Sequence, residues 1–221
     1  MPLAARGMLL TAMDIDAEDE PDFNRWYDRE HLAERVAIDG FLEARRYVAE
    51  DASPKYLALY ATRTFEVLSS PAYRKALAHQ TEWSNRNIAK FKNMIRGAAR
   101  ITASHGEGRG AQLGLVRLRP RGGNHEHLRA MIVAQRELLA QDGLISMHLL
   151  ENDPALSRPL TDPPGVTSAG ASDWFVVIEG SNRTAVRAMI ERFEGLIGAE
   201  LISTCLYTLL WDLARSDLSG A

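Results

Sequence analysis

The chain has 221 residues, 46% of them hydrophobic and 25% charged, with a formal net charge of -3. This is the balance of a globular protein with a sizeable core. It excludes the broad basic surface that nucleic acid requires and a polybasic membrane-binding patch.

The single cysteine, Cys205, rules out an internal disulfide framework and suits a reducing cytosol. The apolar run within Met1–Leu10 is too short for a secretory signal, and no stretch reaches the roughly 18 apolar residues of a membrane span. The expected location is cytoplasmic.

Met8–Ile15 is an apolar run of strand length. Acidic Asp16–Glu20 and then Pro21 open a helix, because acids suit its positive end and proline is tolerated in a first turn. Phe23, Trp26, Tyr27, Glu30, His31, Glu34 and Arg35 follow at helical spacing until Asp39-Gly40 ends the run. Phe41–Ala49 and Tyr56–Thr62 read as strands about a turn at Asp51–Pro54. A second helical region over Phe65–Lys92 is broken near Ser69-Ser70-Pro71, and Ile95–Ala103 closes this part as a strand. Gly106, Gly108 and Gly110 form a joint.

The pattern then restarts, with strands over Leu113–Leu118, Leu144–Leu150, Trp174–Glu179 and Leu201–Trp211. Helices are expected over Glu126–Leu139 and Thr184–Leu196. A shift of 103 residues lays Asp39-Gly40-Phe41 on Asp142-Gly143-Leu144. The fold class expected is α+β: two ferredoxin-like βαββαβ repeats, residues 1–106 and 107–221, whose antiparallel sheets cover each other as a single-chain pseudo-dimeric α/β barrel. The long segment Asn152–Ser172, rich in proline and glycine, is expected to be a surface loop.

Phe23, Tyr27 and His31 lie four residues apart on one stripe of the first helix, with Trp26 and Glu30 beside them. An imidazole facing an enclosed, partly apolar space can exchange protons near neutral pH. A phenol beside it can orient a substrate oxygen, and Asp28 or Glu34 is placed to fix the imidazole tautomer. In the second part the same shift replaces Tyr27 by Ala130 and His31 by Ala134, so packing alone does not demand the pair. On Phe41–Ala49 one arginine points to each side of the sheet, and Arg46, on the face of Leu42, Ala44 and Val48, is the candidate to hold an anionic group. Tyr73 and Trp83 are candidate walls. His79 reads as solvated, His148 as structural, and Cys205 as a small buried residue. His125-Glu126-His127 is poor metal spacing at a helix start, and the nucleotide motifs are absent, so neither metal nor cofactor is expected.

The run Phe23 to Leu32, Phe-x-x-Trp-Tyr-Asp-x-Glu-His-Leu, followed by Gly40 to Tyr47, resembles the EthD-like branch of the dimeric α/β-barrel superfamily. The resemblance implies a pocket between helices and sheet with a helix histidine such as His31 in it. Relatives include cofactor-free isomerases and cyclases, quinol-type monooxygenases and haem proteins. The function expected is a cofactor-independent enzyme acting on a small apolar carbonyl, lactone or polyketide-like aromatic compound by proton transfer at His31, with Tyr27 as partner. Phe23, Trp26, Arg46, Tyr73 and Trp83 would bind the substrate. Two alternatives stay open: a non-enzymatic small-ligand or stress-type barrel, and an oxygen-using or haem-binding member. A further homodimer of pseudo-dimers is also open.

Overall fold

The computed structural model describes residues 6–123, 125–158, 170–196 and 198–218. Its strands are β1 (Gly7–Asp14), β2 (Phe41–Ala49), β3 (Tyr56–Thr62), β4 (Lys92–Gly106), β5 (Gln112–Pro120), β6 (Leu144–Asn152), β7 (Trp174–Gly180) and β8 (Ala199–Ala214). They close into one barrel in the order β1-β3-β2-β8-β5-β7-β6-β4, every pairing antiparallel. The first four strands thus lie as β4-β1-β3-β2 and the last four as β8-β5-β7-β6, the same order twice. The seams are β2–β8 and β4–β6.

Alternation along the strands sorts the side chains into three cores. Met8, Leu10, Leu57, Leu59, Leu113, Phe175, Val177 and Tyr207 fill the lumen without help from any helix. On the outside, Leu9, Met13, Ala58, Tyr60 and Ala98 pack under helices of the first part, which contribute Phe23, Trp26, Tyr27 and Leu32. Val116, Leu118, Val176 and Ile178 do the same under Leu128, Ile132, Val186 and Met189 of the second. No helix of the described residues is long and apolar enough to cross a membrane.

The helices differ from the expected ones mainly by interruption. The first is α1 (Glu20–Trp26), a π-helical turn (Tyr27–His31) and α2 (Leu32–Ala37) in direct succession. The second region is a 3-10 turn (Phe65–Ser69), α3 (Pro71–Ala78), capped by the Ser70 hydroxyl, and α4 (Glu82–Ile88), capped by Thr81. In the second part come α5 (His125–Ala134), a 3-10 turn (Gln135–Ala140) and α6 (Arg183–Glu191).

Of the long connection after β6, Ser157 bonds both backbone groups of Ala98, and the carbonyls of Leu156 and Arg158 accept from Arg96. That stretch is docked on β4, not a free surface loop; positions 159–169 of the expected loop lie outside the described residues.

Arg45 points into the lumen, where it pairs with Glu179 of β7 at 2.5 Å and donates to the Tyr47 hydroxyl at 3.0 Å. His148 also lies there, its Nδ1 2.8 Å from the Ser104 hydroxyl.

Gly40 and Gly143, matched by the 103-residue shift, both stand at the start of a strand with positive φ, 89° and 87°. A Cβ at Gly40 would lie 2.5 Å from Val67, and one at Gly143 2.5 Å from Asn182. Gly40→Ala and Gly143→Ala are each expected to lower stability by about 1–3 kcal/mol through strain and crowding together. Urea denaturation midpoints check this, and unchanged midpoints would mean the two turns relax freely.

Candidate functional site

The backbone of the first helix sets the site. Between Tyr27 and His31 the chain takes a π turn, with the Leu32 N–H donating to the Tyr27 carbonyl five residues back. Single π turns inside α-helices occur frequently at functional sites. The turn rotates side chains out of the α stripes. Trp26 and His31, five apart, stack with ring centroids 4.2 Å apart at 34°. The expected partner Tyr27 meets His31 edge-on at 5.0 Å. Trp26 is pinned in turn, its indole donating to Ser84 at 3.1 Å, while Glu30 accepts from Ser84 and Thr81.

Below this turn lies a hollow between the helices and the outer face of β1, β3 and β4. It spans about 420 Å³ between atoms, part of it open to solvent. Trp26, Tyr27, His31 and Tyr73 line it, with Leu9, Met13, Ile88 and Phe91 as apolar wall. Five further polar residues face it that the sequence does not reveal: Thr11, Arg35, Tyr60, Gln80 and Arg96. The His31 Nδ1 and the Nε and Nη1 of Arg35 are buried there without a hydrogen-bond partner. Buried polar groups are nearly always paired, so several orphans on one hollow require an explanation.

The other expected walls lie elsewhere. Phe23 is packed in the core against Tyr27 and Tyr56. The Trp83 indole is turned to the Asp22 carboxylate at 3.2 Å. Arg46 does face the helices, as its neighbours implied, yet it does not line the hollow. Its guanidinium sits 4.3 Å from the Tyr27 ring centre, and is held by Asn24 and Asp28. The reason is strand order: β2 lies beyond β3, whereas the hollow sits over β4, β1 and β3. Nor does a carboxylate orient the imidazole through Nδ1. Asp28 accepts from Arg46 and from the Trp211 indole instead. Among the described residues no three of His, Cys, Asp and Glu converge as metal ligands would.

Burial holds the His31 imidazole well below the usual histidine range, and the Arg35 and Arg46 cations push it the same way. It is therefore neutral at pH 7. Burial likewise raises the Tyr27 phenol, with Arg46 opposing, and keeps it protonated. The Tyr60 phenol is pushed well above its ordinary value by burial and by Tyr27.

No family model matches the sequence, and no curated protein matches it significantly. Solved structures do. An anthrone oxidase-like protein superposes with a TM-score of 0.68 at 12% identity, over 100% of this chain and 99% of its own. A mutant chlorite dismutase from Candidatus Nitrospira defluvii gives 0.55 at 9%, over 93% and 92%. A heme-binding protein from Thermus thermophilus gives 0.52 at 9%, over 96% and 93%. At such identities the likeness shows the fold alone. The chain is an α+β protein built on a closed antiparallel barrel of eight strands.

The buried histidines tie stability to pH. Burial lowers His148 to about 4, so between pH 6.5 and 4 the unfolded chain takes up a proton that the folded chain refuses. Stability then falls on acidification by roughly 1.4 kcal/mol per pH unit for such a group. His31 acts in the same direction. Unfolding free energy is expected to decline from pH 7 to 5, with a shallower decline in His31→Gln. An equal slope in that variant would mean His31 is protonated in the fold.

Proposed function

We propose that the protein is a cofactor-independent enzyme that moves protons on a small, mostly apolar carbonyl, lactone or polyketide-like aromatic compound held beneath the π turn. The observation that carries the reading is the buried, unpartnered His31 Nδ1 facing a hollow walled by Trp26 and Tyr27. A neutral imidazole there is a base without a resident proton donor. It would take a proton from carbon next to the substrate carbonyl, the C–H electron pair passing into an enolate. Tyr27, kept protonated by burial, would donate a hydrogen bond to the developing oxygen anion. The imidazolium so formed is a strong acid in that environment, and it would return the proton at a second carbon and regenerate the base. Trp26 and Tyr73 would hold the ring or acyl part of the substrate. The EthD-like resemblance of Phe23–Leu32 and the anthrone oxidase-like neighbour both fit a site for compounds of this kind.

We read the two βαββαβ halves as ferredoxin-like repeats, with residues 1–106 carrying the site and 107–221 completing the barrel. The heme-binding neighbour raises a haem as an alternative. A hollow of about 420 Å³ walled by Trp26, Tyr27 and Tyr73 would have to open to admit a tetrapyrrole.

His31→Ala is expected to lower turnover by about a hundred-fold or more with circular dichroism unchanged. The assay is deuterium incorporation from D2O into lactones, enones and hydroxyaryl ketones, followed by mass spectrometry. Tyr27→Phe should reduce kcat more than it alters KM. Oxygen uptake with the same compounds would point instead to an oxygen-using enzyme. Recovery of an unaltered bound compound with no exchange would point to a binding protein.

A further inference from the structure

Arg35 is unlike the other buried arginines of the fold. It stands one helical turn after His31 on α2 and is 4% exposed. Among the described residues its one side-chain hydrogen bond runs from Nη2 to the Gln80 side-chain oxygen at 2.6 Å, while Nε and Nη1 have no acceptor there. Gln80 is half-buried, in the turn between α3 and α4, and lines the same hollow. A second cation, Arg96, enters from β4, donating to the Tyr73 hydroxyl at 3.3 Å and to the neutral carbonyls of Leu156 and Arg158. Among the described lining residues there is no aspartate or glutamate. Two buried cations with no carboxylate between them are costly to fold around. The missing counter-charge is then the ligand's own.

We infer that the hollow takes a planar organic anion, an aromatic carboxylate or phenolate, whose charged oxygen occupies the open donors of Arg35 while its ring lies against Trp26 and Tyr73. This deepens the proposed function and rests on its reading of the hollow as the substrate site. The Gln80 amide oxygen, a weaker and neutral acceptor, occupies part of the anion's place in the free protein. Gln80 and Leu77, both half-buried lining residues, would move to admit a ring.

The anion would also alter the base. His31 is faced by Tyr27 on its own turn, Arg35 on α2, Arg46 on β2, Tyr60 on β3, Tyr73 on α3 and Arg96 on β4. The charged members of that set are all cations. A negative charge beside Arg35 offsets their field, so His31 gains proton affinity only when substrate is present. The free enzyme keeps its base neutral, and the bound anion makes it a better acceptor.

The test compares 2-naphthoate with 2-naphthamide, nearly equal in shape and differing in charge, by quenching of tryptophan fluorescence and by calorimetry. Naphthoate is expected to bind about ten- to a hundred-fold more tightly. Arg35→Met should abolish that preference while leaving amide binding intact, and should raise the melting temperature by removing an unpaired buried cation. A nitrogen-15 titration of the wild-type histidines needs no variant to fold: naphthoate, and not the amide, should move the His31 transition to higher pH. Equal binding of acid and amide, or no movement of His31, overturns the anion assignment and leaves the hollow as a ligand site. Binding of neither compound overturns the assignment together with the reading of the hollow on which it rests.

Discussion

The hydrogen bond from the Leu32 N–H to the Tyr27 carbonyl, one residue beyond α register, is the feature on which the site depends. A regular helix would set His31 over Tyr27 and turn Trp26 to a different stripe. The π turn instead brings Trp26 and His31 face to face and turns the phenol edge-on to the imidazole. Such a turn is weaker in backbone bonding than the α-helix around it and persists where its surroundings fix it. Here they do. The Trp26 indole is tied to Ser84, and Glu30 to Ser84 and Thr81, so the start of α4 clamps the distorted turn from outside. Phe23 and Tyr27 close on Arg46 from below. The hollow is the space left when a helix so constrained crosses a sheet face.

The fold handles buried arginines in two different ways, and the contrast bears on function. In the lumen, Arg45 meets Glu179 at 2.5 Å and lies 3.6 Å from Glu43, whose other oxygen takes Arg109. That network links β2 of the first part to β7 of the second with opposite charges matched. Beneath the helices, Arg35 has an amide oxygen and two open donors. A protein that can build the first arrangement is not forced into the second. Unpaired charge on an enclosed surface is the kind of local cost that folds carry at sites of binding or chemistry.

Much of this architecture is legible in the chain. Phe41–Ala49 and Tyr56–Thr62 have the bounds that their β-branched and aromatic content implies. The matched Asp-Gly pairs mark two turns whose glycines do take positive φ. The stripe Phe23, Tyr27, His31 leads to the hollow through Tyr27 and His31, because helical spacing is a local property. What escapes the sequence is set by other things. A π turn has no periodic signature, so regular spacing puts the stacked Trp26 and His31 on separate stripes. Thr11, Tyr60 and Arg96 join the site only through pairing, Thr11 lying opposite both Ala58 and Arg96, and Leu9 opposite Tyr60. No spacing within one segment contains that register. For Arg46 the alternation of its strand gives the right face but not the column, since which strand lies next to β1 is a fact of topology.

The same reasoning applies to the difference between the two parts of the chain. Ala130 and Ala134 fall where Tyr27 and His31 stand, and α5 gives way at Gln135 to a 3-10 turn. The core beneath it is built on Val116, Leu118, Leu128, Ile132 and Val176, and the Arg129 cation of α5 is paired there with Glu151 at 2.6 Å. In a barrel assembled from two identical chains, any substitution that strains a helix to open a hollow is made twice, and its cost is doubled. In this chain the two outer faces are built from different residues, so no such symmetry binds them. One outer face can then keep unpaired cations and a distorted helix while the other contributes apolar packing and closes the β2–β8 and β4–β6 seams.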